Sequence, residues 1–302
     1  MLAYLLKLCY TLLYFRPKLV YFSIMPTGKI FYRDFIFCFF LKLSSAKLVL
    51  HLHGKGINNN VQNSVLKKKL YQFIFEKAYV ICLSQRLKKD ITGIRCRKIL
   101  ILPNGIPDAE LSIYNKENNA PVILYLSNLI KAKGIFIFLE SLKLLKEKNI
   151  SFKASIVGGP FDVSIDDVKK ICNSSGIEKF VEVKGPKFGK DKEKEFSEAS
   201  IFVLPSFDEC FPLSILEAMR AGVAMIATRV GGIPDMIEEK KEGLLISPND
   251  SNELAQKLEL LISQPQVGLE LGSNATKKFK SNYTLNQFHK GLADIFDDVL
   301  KK

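Results

Sequence analysis

The sequence predicts an α/β fold of two domains, each built on a parallel sheet. Nine short apolar runs alternate along the 302 residues with longer helix-like segments. The runs are almost continuously apolar, which is typical of strands buried on both faces of a parallel sheet. The length suits two domains of about 150 residues each.

The predicted elements follow one another along the whole chain. Residues 1–15 have the composition of a helix, and no small-residue cleavage site follows them as it would in a secretory leader. Segment 134–149 places apolar residues at 135, 138, 139, 142 and 145, which lie on one helix face. The predicted strands are 19–23, 48–53, 79–84, 98–103, 122–127, 153–158, 180–184, 200–205 and 223–228.

Turn residues cluster at 103–107, which predicts the join between the two domains. We therefore expect an N-terminal domain over 1–107 and a second domain over 108–283. A C-terminal helix over 284–302 is expected to pack back toward the N-terminal domain. The polar stretch 108–120 would connect the two sheets.

The net charge of +13 is concentrated at the start of the chain. Residues 1–107 contain 18 Lys and Arg against 3 Asp and Glu, whereas the remainder contains 26 against 28. Such asymmetry indicates an anionic partner: nucleic acid, an anionic membrane face or a phosphorylated substrate. A solvated lysine-rich surface is the alternative. Nucleic acid is not the expected partner, since the basic residues are scattered and no binding motif is present.

The composition excludes several classes of protein. Hydrophobic residues make up 47% and charged residues 25%, which is the globular average. No stretch reaches the roughly 18 uncharged apolar residues of a membrane-spanning helix. The six cysteines form no CxxC pair and lie mostly in apolar runs, which predicts buried thiols in a reducing, cytoplasmic compartment rather than zinc ligands or disulfides.

The strongest candidate site is segment 205–222. Glu209 lies in a loop that follows a predicted strand, a helix is expected to open at Pro212, and Glu217 lies inside that helix. The free N–H groups of a helix N-terminus suit a phosphate. Two carboxylates at different depths can accept hydrogen bonds from hydroxyls on two parts of one ligand. The alternative is two ordinary surface acids.

Glu209 and Glu217 with the seven residues between them resemble the E-x7-E motif of retaining nucleotide-sugar glycosyltransferases of family 4, which have the GT-B fold. Other segments resemble that family in the same order along the chain. These are HLHG at 51–54, LPNGIP at 102–107, LSNLIKAKG at 126–134 and ATRVGGIPDMIEEKKEGLLISPND at 227–250.

The resemblance implies a role for each matching residue. Glu217 would bind the ribose of the donor, and Glu209 would contact the donor sugar in a catalytic position. Lys133 would neutralise the diphosphate, a role suited to a compact ammonium. His53 would act beside the donor sugar and the acceptor hydroxyl. The donor-binding positions are Asn128, Lys133, Phe211, Leu213 and Glu217.

The chain departs from the family pattern at two positions. Asn128 stands where the family has an arginine in its phosphate loop, and Cys210 stands where it has a glycine. The first change removes a positive charge near the leaving group. The resemblance also implies N–H groups after Phe211 near the sugar and the phosphate. Pro212 has no N–H, so that contact cannot come from it.

The resemblance implies a GT-B enzyme that transfers a hexose with retention, without a protein nucleophile or a metal. The donor would be a nucleotide sugar, with no separate cofactor. The acceptor would be a polysaccharide, lipopolysaccharide or lipid-linked glycan, and the enzyme is expected to be cytoplasmic or peripheral on the inner face of the membrane. A metal site at His51 and His53 is an alternative, although the sequence offers no third ligand.

Nothing before residue 19 matches the first strand and glycine-rich turn of the family. We therefore expect a shortened N-terminal sheet with an exposed edge. A misassigned start, a separate partner chain that supplies the missing strands, and a naturally compact domain are all open explanations. A donor-binding subunit that is inactive without such a partner is the alternative function.

Overall fold

The computed structural model describes residues 2–108 and 120–301, which form two compact units. Unit 1 consists of Met1–Asn104 and Asn286–Lys302, and unit 2 of Gly105–Leu285. The sequence-based domain limits at 107 and 283 lie within three residues of these divisions. Most of the predicted connection, residues 109–119, lies outside the described part of the chain.

Strands and helices alternate as the sequence predicts. The strands are β1 (Leu19–Ile24), β2 (Lys47–Leu52), β3 (Tyr79–Cys82), β4 (Lys98–Ile101), β5 (Val122–Leu126), β6 (Lys153–Val157), β7 (Val181–Gly185), β8 (Ile201–Leu204), β9 (Ala224–Thr228) and β10 (Leu244–Ile246). The helices are α1 (Leu2–Phe15), α2 (Gly28–Lys42), α3 (Ile57–Asn63), α4 (Val65–Phe75), α5 (Ile135–Glu147), α6 (Ile165–Ser174), α7 (Gly189–Glu198), α8 (Leu213–Ala221), α9 (Ile233–Met236), α10 (Ser251–Ser263), α11 (Pro265–Asn282) and α12 (Leu285–Lys301).

All nine predicted strands are confirmed, with ends that differ by one or two residues. β10 was not predicted, because its three residues follow a charged loop and are too few to show a pattern. The apolar face predicted for the helix over 134–149 is the buried face of α5, where all five apolar positions are inaccessible to solvent. The fold is therefore an α/β fold with two parallel Rossmann-like sheets.

The sheet of unit 1 is parallel and has the strand order β1-β2-β3-β4. β1 and β4 are its edge strands. The C-terminal helix α12 belongs to this unit, because its fully buried Val299 packs in one apolar cluster with Val49 of β2 and Ile81 of β3. The segment that closes the chain thus completes the hydrophobic core around the N-terminal sheet.

The N-terminal helix α1 is exposed along its length. None of its residues is buried, and Tyr4 and Leu13 have 73% and 76% of their surface in contact with solvent. Only Leu8 and Leu12 pack, partly buried, against the core of unit 1. The predicted helix is confirmed, but it does not lie inside the domain.

The sheet of unit 2 is also parallel and has the order β10-β9-β8-β5-β6-β7. β5 pairs with β6 on one side and with β8 on the other. The chain therefore fills one half of the sheet with β5, β6 and β7 and the other half with β8, β9 and β10. The direction of winding changes between β5 and β8, which makes this the topological switch point of the sheet.

The thiols are less uniformly buried than predicted. Cys38, Cys82 and Cys172 are buried, whereas three other cysteines are only partly covered: Cys9, Cys96 and Cys210. Burial raises the pKa of Cys38 to about 12 and that of Cys172 to about 11. These two thiols therefore stay protonated and unreactive at neutral pH.

Candidate active site

The candidate site of unit 2 lies where β5 and β8 end. Both strands are parallel and adjacent, so their carboxyl ends open at the same edge of the sheet. In open α/β sheets, ligands bind in the crevice outside the carboxyl ends at the switch point. The loop after β5 carries Lys133 and the loop after β8 carries Glu209, which places the two side chains of opposite charge at this crevice.

Lys133 lies at the end of a short 3-10 turn, Lys131–Lys133, before α5 begins. The Phe207 N–H donates to the carbonyl of Ala132 at 2.9 Å, which joins this turn to the loop after β8. The Tyr125 hydroxyl donates to the carbonyl of Lys133 at 3.3 Å. Burial raises the pKa of Tyr125, so this hydroxyl keeps its proton for the bond.

Gly134 allows the two loops to meet. Its φ of +75° is in the left-handed region, and a Cβ at this position would lie 2.0 Å from the carbonyl oxygen of Pro205. Only glycine fits a backbone approach this close. The glycine after Lys133 therefore has a steric reason besides its turn conformation.

Glu209 is buried and has two side-chain partners. The Lys133 ammonium lies 2.7 Å from its Oε1, and the Ser206 hydroxyl donates to the same oxygen at 2.8 Å. The carboxylate side chain is 6% exposed and that of Lys133 is 28% exposed. The Thr228 hydroxyl in turn donates to the Ser206 carbonyl at 2.6 Å. The end of β9 thus supports the loop that holds Glu209.

The glycine turn after β9 packs against this loop. Gly231 has a φ of +54°, and a Cβ there would lie 1.8 Å from the carbonyl oxygen of Glu209. The Gly232 N–H donates to the carbonyl of Cys210 at 2.9 Å. The backbone around Glu209 is therefore fixed from two sides.

Helix α8 begins one residue later than the sequence predicted. Pro212 has an extended ψ of 124° and precedes the helix, whose first residue is Leu213. Proline has no N–H of its own, so the N–H groups at this end of α8 come from the residues that follow it. Leu213 is 49% exposed, whereas the Phe211 ring is buried and packs edge-on against Tyr283. The Phe211 side chain therefore anchors the loop.

Glu217, in α8, pairs with a lysine that the sequence did not single out. The Lys192 ammonium of α7 lies 2.5 Å from Oε1 of Glu217. The Glu217 side chain is 14% exposed, so it is neither a surface acid nor fully enclosed. Each carboxylate of the E-x7-E motif is thus paired with a lysine from another element.

Asn128 is exposed in the loop between β5 and the turn that carries Lys133. The flanking backbone is held, since the Leu129 N–H donates to the carbonyl of Gly159 at 2.8 Å. An exposed side chain on a fixed loop has room for a longer substituent.

His51 and His53 lie in unit 1 and differ in their surroundings. His51 is the fifth residue of β2 and is fully buried, and its Nδ1 is 2.6 Å from the Tyr21 hydroxyl. Its Nε2 is also buried and has no partner among the described residues. Burial, with a smaller contribution from His53, lowers the pKa of His51 to about 3. His51 is therefore neutral at pH 7.

His53 follows the end of β2 and is exposed. It does not lie on the strand itself, as the sequence analysis assumed, yet its ring centroid is only 4.1 Å from that of His51. Desolvation lowers the pKa of His53, and a side-chain hydrogen bond with Asn104 partly offsets this. The ring is neutral at pH 7 and can accept a proton.

Residues 2–108 and 120–301 bring together no group of three His, Cys, Asp or Glu side chains suited to a metal ion. The paired histidines of unit 1 thus gain no third ligand there. Within the same part of the chain, no helix combines the length and the apolarity needed to cross a membrane.

The roles predicted for these residues stay predictions, and the structure adds residues that support them. Lys133 and Glu209 meet directly, and Glu217 follows in the next helix. Ser206, Thr228 and Lys192 were not predicted. Only Ser206, three residues before Glu209, carried a local signal, since a short hydroxyl side chain in a loop commonly bonds nearby groups.

Known proteins resemble this chain in sequence. Residues 108–278 match the family model described as Glycosyl transferases group 1. The glycosyltransferase WcaL of Escherichia coli K12, provisionally assigned to colanic acid biosynthesis, is 30% identical over 143 residues. That alignment covers 45% of this chain and only 34% of WcaL, so the chain matches about a third of its relative.

Solved structures share the fold over nearly the whole chain. A glycosyltransferase of Rickettsia africae ESF-5 superposes with a TM-score of 0.82 at 20% identity, covering 98% of this chain and 80% of its own. Anabaena Alr3699/HepE, solved in complex with UDP, superposes with a TM-score of 0.78 at 22% identity, covering 91% and 78%. At such identities the likeness establishes the fold.

Proposed function

Because the chain belongs to the group 1 glycosyltransferases, we propose that it transfers a hexose from a nucleotide sugar to a glycan or lipid-linked acceptor. The observation that carries this proposal is the meeting of Lys133 and Glu209 at the switch point of the unit 2 sheet. An ammonium, a carboxylate and a helix N-terminus at one edge suit a ligand with a diphosphate and several hydroxyls.

We assign the donor-binding roles by residue. Lys133 and the N–H groups at the start of α8 bind the diphosphate, and Glu217 accepts hydrogen bonds from the ribose. Glu209 accepts hydrogen bonds from the donor sugar. Its bonds from Ser206 and Lys133 hold the carboxylate in one orientation. Asn128, Phe211 and Leu213 complete the donor loop, with Asn128 facing solvent beside the phosphate position.

The proposed reaction proceeds with retention of configuration at the anomeric carbon. The enzyme would then be a member of glycosyltransferase family 4. The bond between that carbon and the diphosphate oxygen breaks, and a bond to the acceptor oxygen forms on the same face. The leaving diphosphate takes the acceptor proton, so neither a protein nucleophile nor a metal takes part. Lys133 stabilises the charge that develops on the leaving group, and His53 acts at the acceptor side.

A thermal-shift panel tests the donor site. UDP-, GDP- and ADP-sugars are added to the wild type and to Glu217→Gln, which keeps the shape of the side chain. A ligand at about a hundred times its dissociation constant stabilises the folded state by roughly 2.7 kcal/mol. We expect one nucleotide class to raise the melting temperature of the wild type and to raise that of the variant less. No shift with any of the three classes contradicts the proposal.

Product analysis separates an enzyme from a donor-binding subunit. We expect the nucleoside diphosphate to be released when a glycan acceptor is present, and EDTA should leave this release unchanged. The new glycosidic bond should have the same anomeric configuration, axial or equatorial, as the donor sugar. Colanic acid fragments are a suitable first acceptor, given the assignment of WcaL. Binding without turnover supports instead a subunit that needs a partner chain, and loss of activity in EDTA contradicts metal independence.

We also propose that unit 1 contacts an anionic membrane face. The exposed apolar side chains of α1 lie on both sides of its one lysine, Lys7, and are followed by Arg16 and Lys18. Residues 1–33 contain no acid. Apolar contact and attraction to anionic lipid act together at such a surface. Basic polar surface without lipid contact is the alternative.

Vesicle sedimentation tests this contact. We expect the wild type to bind vesicles that contain phosphatidylglycerol and not vesicles of phosphatidylcholine alone. Leu13→Asp should weaken binding, because Leu13 is 76% exposed on α1. Leu269→Asp, on α11 of unit 2 and 58% exposed, is the matched control and should bind like the wild type. Equal binding by both variants overturns the assignment of α1.

A further inference from the structure

Lys192 and Glu217 form an ion pair between helices α7 and α8. The ammonium lies 2.5 Å from Oε1 of the carboxylate, and the two side chains are 29% and 14% exposed. Oε2 of Glu217 receives no hydrogen bond from any residue in the described ranges. One carboxylate oxygen is therefore engaged by the protein and the other is left for a ligand.

A second ion pair already ties the same two helices. The Arg220 guanidinium of α8 donates to Glu193 of α7 at 3.0 Å and to the carbonyl of Pro107 at 3.1 Å. The Arg220 side chain is 8% exposed and that of Glu193 is 34% exposed, so this pair is about as well covered as the first. Arg220 and Glu193 thus join α7 and α8 through side chains other than Lys192 and Glu217.

The chemistry of the pair suits a diol. A carboxylate only accepts hydrogen bonds and an ammonium only donates them, whereas a hydroxyl does both. The ion pair with Lys192 restricts the Glu217 side chain to fewer rotamers before the ligand binds. Less conformational entropy is then lost on binding, and pre-organisation of this kind improves affinity. We propose that Lys192 is a positioning residue that holds Glu217 for the ribose diol of the donor. This inference rests on the proposed function.

Calorimetric titration with matched nucleotides tests the role. UDP, GDP and ADP are each compared with the 2′,3′-dideoxy analogue, which lacks the diol. We expect the wild type to bind one of the three nucleotides about tenfold or more tightly than its analogue, the range of a hydrogen bond to a charged group. Lys192→Met should weaken binding of the nucleotide about three- to tenfold while binding of the analogue stays within about twofold.

A double variant and a matched control isolate the effect. In the Glu217→Ala background, Lys192→Met should change neither affinity further, because the group that Lys192 positions is gone. Glu193→Gln alters the other ion pair between the same helices and should leave the preference for the diol intact. Urea unfolding of each variant shows that it is folded before titration.

The outcomes separate this inference from the proposed function. Equal loss of nucleotide and analogue in Lys192→Met, or a loss that persists in the Glu217→Ala background, shows a purely structural lysine. Tighter binding by Lys192→Met shows that the lysine blocks the site. Either result overturns the inference while the donor site stands. If the wild type binds none of the nucleotides, the proposed function itself fails.

Discussion

The Lys133 ammonium lies 2.7 Å from Oε1 of Glu209, across the gap between the loops that follow β5 and β8. The two residues are 76 positions apart in the chain and come together because β5 and β8 are adjacent in the sheet. An ammonium has three donors, so one bond to Glu209 leaves two for a ligand. The pair is therefore balanced in charge when empty and can still receive an anion.

Replacing Lys133 is expected to weaken diphosphate binding selectively. Lys133→Met removes a donor to a charged group, which corresponds to about a 10- to 100-fold loss of affinity for the nucleoside diphosphate. The nucleoside without phosphates should bind equally well to the variant and to the wild type. Calorimetry with the nucleotide and its nucleoside measures both.

The control for this prediction is Lys131→Met in the same turn, whose exposed ammonium should contribute less than about threefold. Equal loss of nucleoside and nucleotide in Lys133→Met would show that the turn had collapsed and would remove the phosphate role from Lys133.

Introducing a cation at position 128 is expected to strengthen binding. Asn128 is exposed on a fixed loop, at the position where the sequence resemblance implies an arginine. Asn128→Arg should raise affinity for the nucleoside diphosphate about three- to fivefold, since an exposed ion contact contributes up to about 1 kcal/mol. The gain should vanish in 1 M salt, where charges are screened. Asn128→Gln should not show it, and a gain that survives high salt would contradict the electrostatic reason.

The backbone contact between Gly231 and Glu209 predicts a sharp difference between two glycines. Gly231 and Gly189 have φ values of +54° and +52°, but a Cβ at 231 would meet a carbonyl oxygen at 1.8 Å and one at 189 meets nothing within 4 Å. Gly231→Ala should therefore destabilise the fold by about 1–3 kcal/mol more than Gly189→Ala, the cost of overpacking. Urea unfolding of both variants checks this, and equal losses would mean that backbone conformation alone matters.

Burial of His51 predicts that stability falls in mild acid. Its folded pKa of about 3 lies below the ordinary value of 6.5, so the unfolded chain binds a proton first as the pH drops. The stabilisation is complete above pH 6.5 and is lost progressively between pH 6.5 and pH 3. From pH 7 to pH 5 this one residue should lower the free energy of unfolding by about 2 kcal/mol.

The variant His51→Asn isolates that contribution, because an amide keeps an acceptor near the Tyr21 hydroxyl and does not titrate. Urea unfolding at pH 7 and pH 5 should show about 2 kcal/mol less loss in the variant than in the wild type. An identical pH dependence of the two proteins would mean that the pKa of His51 is the same in the folded and the unfolded chain.

Much of the fold was legible from the sequence because its strands are buried on both faces. Runs such as 122–127 and 200–205 are continuously apolar, and the face of α5 repeats with helical spacing. β10 escaped prediction because three apolar residues are too short a pattern. The start of α8 was placed one residue early, since proline occurs both before and inside a first helical turn.

The candidate site was only partly legible, for a physical reason. Glu209 and Glu217 lie in one motif, but their partners come from other elements. Lys192 lies in the charged run 190–195, which reads as a solvated helix face. Its pairing with Glu217 depends on how α7 docks on α8, and local spacing carries no information on that docking.

The most direct test of the donor site is a crystal structure of the chain with the nucleoside diphosphate that stabilises it. We expect a diphosphate oxygen about 3 Å from Lys133 Nζ and ribose hydroxyls at a similar distance from Oε2 of Glu217, the range of a hydrogen bond. A nucleotide bound with its diphosphate away from Lys133 and its ribose away from Glu217 would contradict this expectation.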